Sequence, residues 1–298
     1  MTVAQMLLIV LNVSIAIVVL GLGLGASLND AAYLVRRPGA LLRSVFSMHI
    51  VMPVVAVVLV IAFGMRGPIG VALLALSLSP MPPFLPLTQT RGGGTHAYAI
   101  SLLVITALLA VAVVPLGLMA ISVVAGAKAD APEIAGTLAL TVTLPLVTGM
   151  VVHDLYPGLA RRLVKPISTL GLVLLVLAFI PVAAFEWGRM WSMVGNGVLG
   201  ALVIFALVGI VVGHFLGGPT SADRLVLATA TAARHPGIAI AVAAANSEQV
   251  TLVAAVVIWH LLVGAVMAMP YTRWMHLLPT PEPQQKADKT PRHFPPIR

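Results

Sequence analysis

Ala230-Thr231-Ala232-Ala233-Arg234-His235-Pro236-Gly237 places a charge and helix-breaking residues inside an apolar stretch that reads as a membrane span over 223–246. Arg234 stands near the middle of that stretch, with no carboxylate close to it in sequence. Pro236 has no backbone N–H to give, and Gly237 accepts almost any backbone geometry. An arginine at membrane depth is costly and faces a cavity or a protein partner rather than lipid. A helix broken at that depth is tolerated only where protein buries it or where it lines a water-filled site. The stretch therefore points to a solute pathway. The other arrangement is two shorter elements with Arg234 snorkelling to an interface, but Asn246-Ser247-Glu248-Gln249 makes the better helix end.

The composition agrees. Of 298 residues, 60% are hydrophobic and only 9% charged, against about a quarter charged in a soluble domain. The expected fold class is an all-α polytopic membrane protein. Cysteine is absent, which excludes disulfides, thiolate metal sites and cysteine nucleophiles. The net charge of +8 reflects basic residues gathered in alternate loops and predicts no nucleic-acid partner. Residues 1–27 hold no basic residue before their apolar run, unlike a cleaved signal peptide. They read as a first span.

Polar punctuation divides the chain into about nine spans of the ~20 residues that a bilayer requires: roughly 5–26, 41–63, 69–90, 96–122, 134–153, 166–186, 194–216, 223–246 and 249–271. With the N-terminus outside, the inner loops collect Arg36, Arg37, Arg43, Arg91, Arg161, Arg162, Lys165, Arg224 and Arg273, and the outer loops only Arg66, Lys128 and Arg189. The positive-inside bias thus predicts N-out, C-in, in the plasma (inner) membrane. Residues 1–276 form the transmembrane domain, and 277–298, rich in Pro, Gln and charge, read as a disordered cytoplasmic tail.

Taking the fifth span as a linker leaves four spans on either side in opposite orientation. The third span of each group is interrupted: Pro80, Pro82, Pro83 and Pro86 in the first, Pro236 and Gly237 in the second. Paired broken helices in inverted halves mark the binding site of a secondary transporter. Two glycine series, Gly21-Leu22-Gly23-Leu24-Gly25 and Gly209/Gly213/Gly217, are expected at close helix contacts.

All nine acids map to loops, helix ends or the tail, which removes the usual intramembrane proton relay and cation ligand. Two roles are open to Arg234. Beside the helix N-terminus at Pro236 it binds an anion, or it is a structural arginine bonded to carbonyls freed by the proline-rich break. His235 either couples a proton to transport or is neutral and hydrogen-bonded. His49 and His260 read as helix-face histidines. Thr88, Gln89, Thr90 and Thr231 complete the candidate substrate contacts, and no metal site is expected. No H-E-x-x-H, G-x-S-x-G or P-loop pattern is present, so no enzyme is expected.

Over about residues 20–270 the chain resembles the bile acid:sodium symporter superfamily. The resemblance is carried by Gly21-Leu22-Gly23-Leu24-Gly25-Ala26-Ser27-Leu28 with Asp30 and Arg36-Arg37-Pro38, by Ser79-Pro80 at the first break, and by Gly237-Ile238-Ala239-Ile240-Ala241 after the second. It implies an elevator-like or rocking transporter, with the two broken helices crossing in a core domain beside a panel domain. The departures fall on the positions that hold sodium in the family. Leu85 and Pro86 stand at a Ser-Asn pair, Ala99 and Leu103 at a Ser and a Thr, and Ala230, Arg234 and His235 at a Glu and a Gln-Asn pair. The expected function is secondary transport of a small organic anion across the lipid bilayer, with sodium coupling in doubt. A conventional sodium symporter is the nearest alternative, and a membrane receptor or scaffold is the alternative of another class. The related arsenite permeases rely on a cysteine that this chain lacks. Oligomeric state, substrate and flux direction are open.

Overall fold

The computed structural model describes residues 3–125, 136, 139–185, 187–237, 239–240 and 250–277, and among them every regular element is helical. The expected tail and the second half of the span at 223–246 lie mostly outside the described residues.

Helix α1, Val3–Gly25, is unbroken and mostly apolar, with only Gln5, Asn12 and Ser14 polar. Ser27 ends it through a capping box. Its hydroxyl accepts from the Asp30 N–H at 3.1 Å, while the Asp30 carboxylate accepts the Ser27 N–H at 3.3 Å. The chain consequently turns by 88° into the short helix α2, Leu28–Val35, where a loop was expected. Ser101 fixes α2 from below, accepting the Leu34 N–H and donating to the Ala31 carbonyl.

Helix α3, Pro38–Ala62, is α-helical to Phe46, π-helical over Ser47–Val51 and α-helical again from Met52. Then follow α4, Pro68–Leu78; α5, Leu85–Arg91; α6, His96–Ala125; α7, Ala139–Leu155; and α8, Pro157–Phe185. The chain continues through α9, Trp187–Ser192; α10, Val198–Leu216; α11, Ser221–Ala232; and α12, Val250–Leu277. The expected spans at 69–90 and 223–246 are therefore each broken, into α4 and α5 and into α11 and a helical segment that resumes at Pro236. Helix α8 starts at Pro157, nine residues before the expected span, so Arg161, Arg162 and Lys165 ride on its first turns rather than in a loop. A proline at a first helical position suits that early start.

Four described helices are long and apolar enough to cross a membrane, namely Pro38–Ala62, His96–Gly117, Val198–Leu216 and Leu252–Leu277, and α1 with α2 makes a bent fifth. The architecture is that of an all-helical, multi-spanning membrane protein.

Both glycine series sit at close helix contacts. Helix α1 packs against α7 and α8. A Cβ at Gly149 would lie 2.6 Å from the Leu20 carbonyl oxygen, and one at Gly21 would strike Ser168. Helix α10 lies along α11 in the same way: a Cβ at Gly209 would meet the Ala232 Cα at 2.7 Å, and those at Gly213 and Gly217 would collide with Ala228 and Arg224. These backbones touch because nothing stands between them. Around the breaks, α3, α4, α6, α10 and α12 share one apolar core, and a second cluster joins α2, α6 and α11.

Candidate functional site

The two breaks meet. Pro82 and Pro83 have no N–H for the carbonyls three and four residues back, so Ser79 loses both helical donors and Pro80 one of its own. The residue before a proline is pushed to extended geometry, and Ser79 adopts φ −66° and ψ 145°, which ends α4. Buried carbonyls need partners. The second break supplies them: the His235 backbone N–H donates to the Pro80 carbonyl at 2.9 Å, and Arg234 Nη1 to the Ser79 carbonyl at 3.4 Å.

A third carbonyl comes from α3. The Met52 N–H is diverted to Ser47 in the π-helical turn, and the next residue, Pro53, has no N–H. Met48 is left without a helical donor at either spacing, and Arg234 Nη2 donates to its carbonyl at 3.1 Å. One guanidinium thus joins α3 to both breaks. It is fully buried, and its Nε has no hydrogen-bond partner. The described carboxylates are occupied elsewhere. The Asp30 carboxylate completes the capping box of α2, the Asp223 carboxylate accepts the Thr95 hydroxyl at 2.6 Å in the first turn of α11, which Thr220 caps, and Asp154 is exposed at the end of α7.

Beside this junction a pocket of about 420 Å³ runs between α5, α11 and α12, and Arg234 lies in its wall. Its walls are mostly apolar, with Phe84, Leu85, Leu225, Leu261, Ala265 and Met269 among them. Its lining on α12 extends from His260 to Arg273, a rise of about 20 Å along the helix. Buried Arg234 and His260 are thus at one end and exposed Arg273 at the other.

Three of the expected contact residues line this pocket: Thr88, Gln89 and Arg234. The Gln89 amide donates to the Val226 carbonyl at 3.0 Å and to Thr229 Oγ1 at 2.9 Å, which locks α5 to α11 and leaves its buried Oε1 unpartnered. Thr88 is exposed and donates back to Leu85, and Thr90 likewise to Pro86. Thr231 and His235 are not in the lining. Thr231 faces α3, its hydroxyl 3.2 Å from Ser47 Oγ. Of the crossover residues, Pro82 borders the pocket, while Pro80, Pro86, Pro236 and Gly237 are buried outside its lining and Pro83 is half-buried. His260 and Thr229 enter the lining without having been expected there. His260 was read as a helix-face residue, but its Nδ1 is buried without a partner and its ring meets Phe205 edge-on at 5.8 Å.

The model of the sodium bile acid symporter family matches residues 12–188, more than half of the chain. The chain belongs to this family. No curated protein matches it. The matched part of this symporter-family chain contains the first break, and the second, with Arg234, lies beyond it.

The family implies sodium, and Leu85, Ala99, Leu103 and Ala230, which the resemblance sets at its ligand positions, offer no side-chain oxygen. A hard cation takes a shell of oxygen ligands. Ala99, Leu103 and Ala230 are instead buried in one apolar cluster with Leu34, Met48, Met81 and Leu102, and Leu85 packs against it. The nearby hydroxyls are spent locally, Thr106 on the Leu103 carbonyl and Ser101 on Ala31. The carbonyls of Met48, Ser79 and Pro80 already accept bonds from Arg234 and His235.

Proposed function

We propose that this symporter-family protein is a secondary transporter that carries a small organic anion, with Arg234 as the charge that attracts it. The observation behind this reading is a fully buried guanidinium in the wall of an apolar pocket, with no described carboxylate bonded to it. A buried cation with only carbonyl dipoles around it is costly, and an anion entering the pocket relieves that cost. Gln89 Nε2 and the Thr229 hydroxyl shape the floor beside it, and the apolar walls take the body of the solute. Thr88 stands at the exposed rim. Thr231 and His235 act one step back, by setting the position of the second break.

The rest of the arrangement follows the sequence: nine spans in inverted repeats about a linker, core and panel domains within 1–276, the N-terminus outside and the C-terminus in the cytoplasm of the inner membrane. On that topology the Arg273 end of the pocket faces the cytoplasm, and no catalytic chemistry is assigned to the chain.

The test is the melting temperature of the detergent-purified protein against a panel of monovalent carboxylates and sulfonates of graded size. An anion near a hundred times its Kd should stabilise by about 2.7 kcal/mol. That anion, radiolabelled, should then enter proteoliposomes. Binding without flux would make the protein a receptor, and the absence of any stabilising anion would remove Arg234 from a substrate role.

A further inference from the structure

We propose that Arg234 is a built-in cation: it ties the crossover together where the family places sodium, so the crossover neither binds sodium nor needs it. Two independent observations carry this. The first is that the positions corresponding to the family's sodium ligands close into apolar packing, with Ala99, Leu103 and Ala230 inside one cluster and Leu85 against it. The second is that the guanidinium is already bonded to two of the carbonyls left over by the helix interruptions, those of Met48 and Ser79, while the adjacent Pro80 carbonyl takes the His235 N–H.

The chemistry of the substitution is consistent. Opposed broken helices bring orphan carbonyls together, and the convergence of their negative ends requires positive charge. A metal ion meets that need with a shell of oxygens around a point. A guanidinium meets it with five N–H groups spread over a plane, which suits carbonyls on two separate segments, Met48 on α3 and Ser79 at the first break. Pro53, Pro82 and Pro83 free the carbonyls of Met48, Ser79 and Pro80; Arg234 supplies donors to the first two and the His235 N–H to the third. The inference concerns how the crossover is held, and it stands whether or not the anion of the proposed function is found.

The experiment compares melting temperatures of the full-length protein in sodium, potassium and choline chloride at equal ionic strength, for the wild type, Arg234→Met and Arg234→Lys. The wild type should melt at one temperature in all three salts. Arg234→Met should melt lower by about 5 °C, also independently of the salt. The direction is informative, because removing a buried cation that held nothing would leave stability unchanged or raise it. Arg234→Lys keeps the charge but lacks the fork, and should fall between the two. It also supplies the comparison if Arg234→Met fails to accumulate. A sodium-specific rise in the melting temperature of the wild type would overturn the proposal, as would Arg234→Met or Arg234→Lys melting at or above it.

Discussion

Gln89 is where the pocket and its frame share a side chain. Its amide nitrogen holds α11 through Val226 and Thr229, and its carbonyl oxygen is left unpartnered at the pocket wall. Gln89→Leu keeps the bulk and removes both bonds. Intramembrane hydrogen bonds average about 0.6 kcal/mol each, so the loss should be roughly 1 kcal/mol, read as a lower melting temperature, together with weaker anion binding by titration. Thr88→Val should leave stability within about 0.5 kcal/mol, because that hydroxyl only returns to its own helix; a larger loss in the same assay would mean that the rim hydroxyl has another partner. Arg234 was legible in the sequence because a lone charge in an apolar run has few explanations. Thr229 and His260 were not. A threonine in an apolar helix ordinarily bonds to its own preceding turn, as Thr229 also does with Leu225, and nothing in the local sequence tells which face of α12 carries His260 toward a cavity. Thr231 stood near Arg234 in sequence, but it lies in the last turn of α11, before the chain becomes extended at Ala233, and its hydroxyl meets Ser47 instead.

At the level of elements, the breaks were readable because proline clusters cannot continue a helix. What receives their freed carbonyls was not, since that depends on the register of a third helix. The sign was present in Pro53: by withholding an N–H it turns Ser47–Val51 into a π stretch and leaves Met48 for Arg234. Pro53→Ala restores a donor that competes for that carbonyl. The two substitutions should therefore be non-additive, with Arg234→Met costing less in a Pro53→Ala background than in the wild type. A double-mutant cycle of melting temperatures measures this, and strict additivity would uncouple the π stretch from the crossover. That α10 makes a close helix contact was legible from the four-residue glycine spacing, and the structure shows the partner to be α11. A branched side chain at Gly213 would collide with the Ala228 backbone, so Gly213→Val should cost more than the 1–3 kcal/mol typical of overpacking, seen as loss of monodisperse protein on size-exclusion chromatography. The turn into α2 escaped the sequence reading although Ser27 and Asp30 spell a capping signal, because the basic cluster after it reads equally well as a loop.

For the molecule as a whole, the nature of the cation changes the transport cycle. An ion can leave with its solute, whereas a guanidinium stays in the core through every step. If Arg234 attracts the anion, the loaded core is electrically neutral there and the empty core carries an unpaired buried charge. Carrying an unpaired charge past the bilayer centre adds to the barrier a cost that the anion-paired core does not meet, and each 1.4 kcal/mol on a barrier is about tenfold in rate. The empty carrier should therefore reorient much more slowly than the loaded one, and the protein should exchange anions faster than it accumulates them. Proteoliposomes preloaded with the unlabelled anion that gives the largest thermal shift should take up its labelled form at least about tenfold faster than empty vesicles. Replacing external sodium by choline should change neither rate. Equal uptake into loaded and empty vesicles would mean that the return of the empty core is not hindered, and that the charge on Arg234 is neutralised within the protein throughout the cycle.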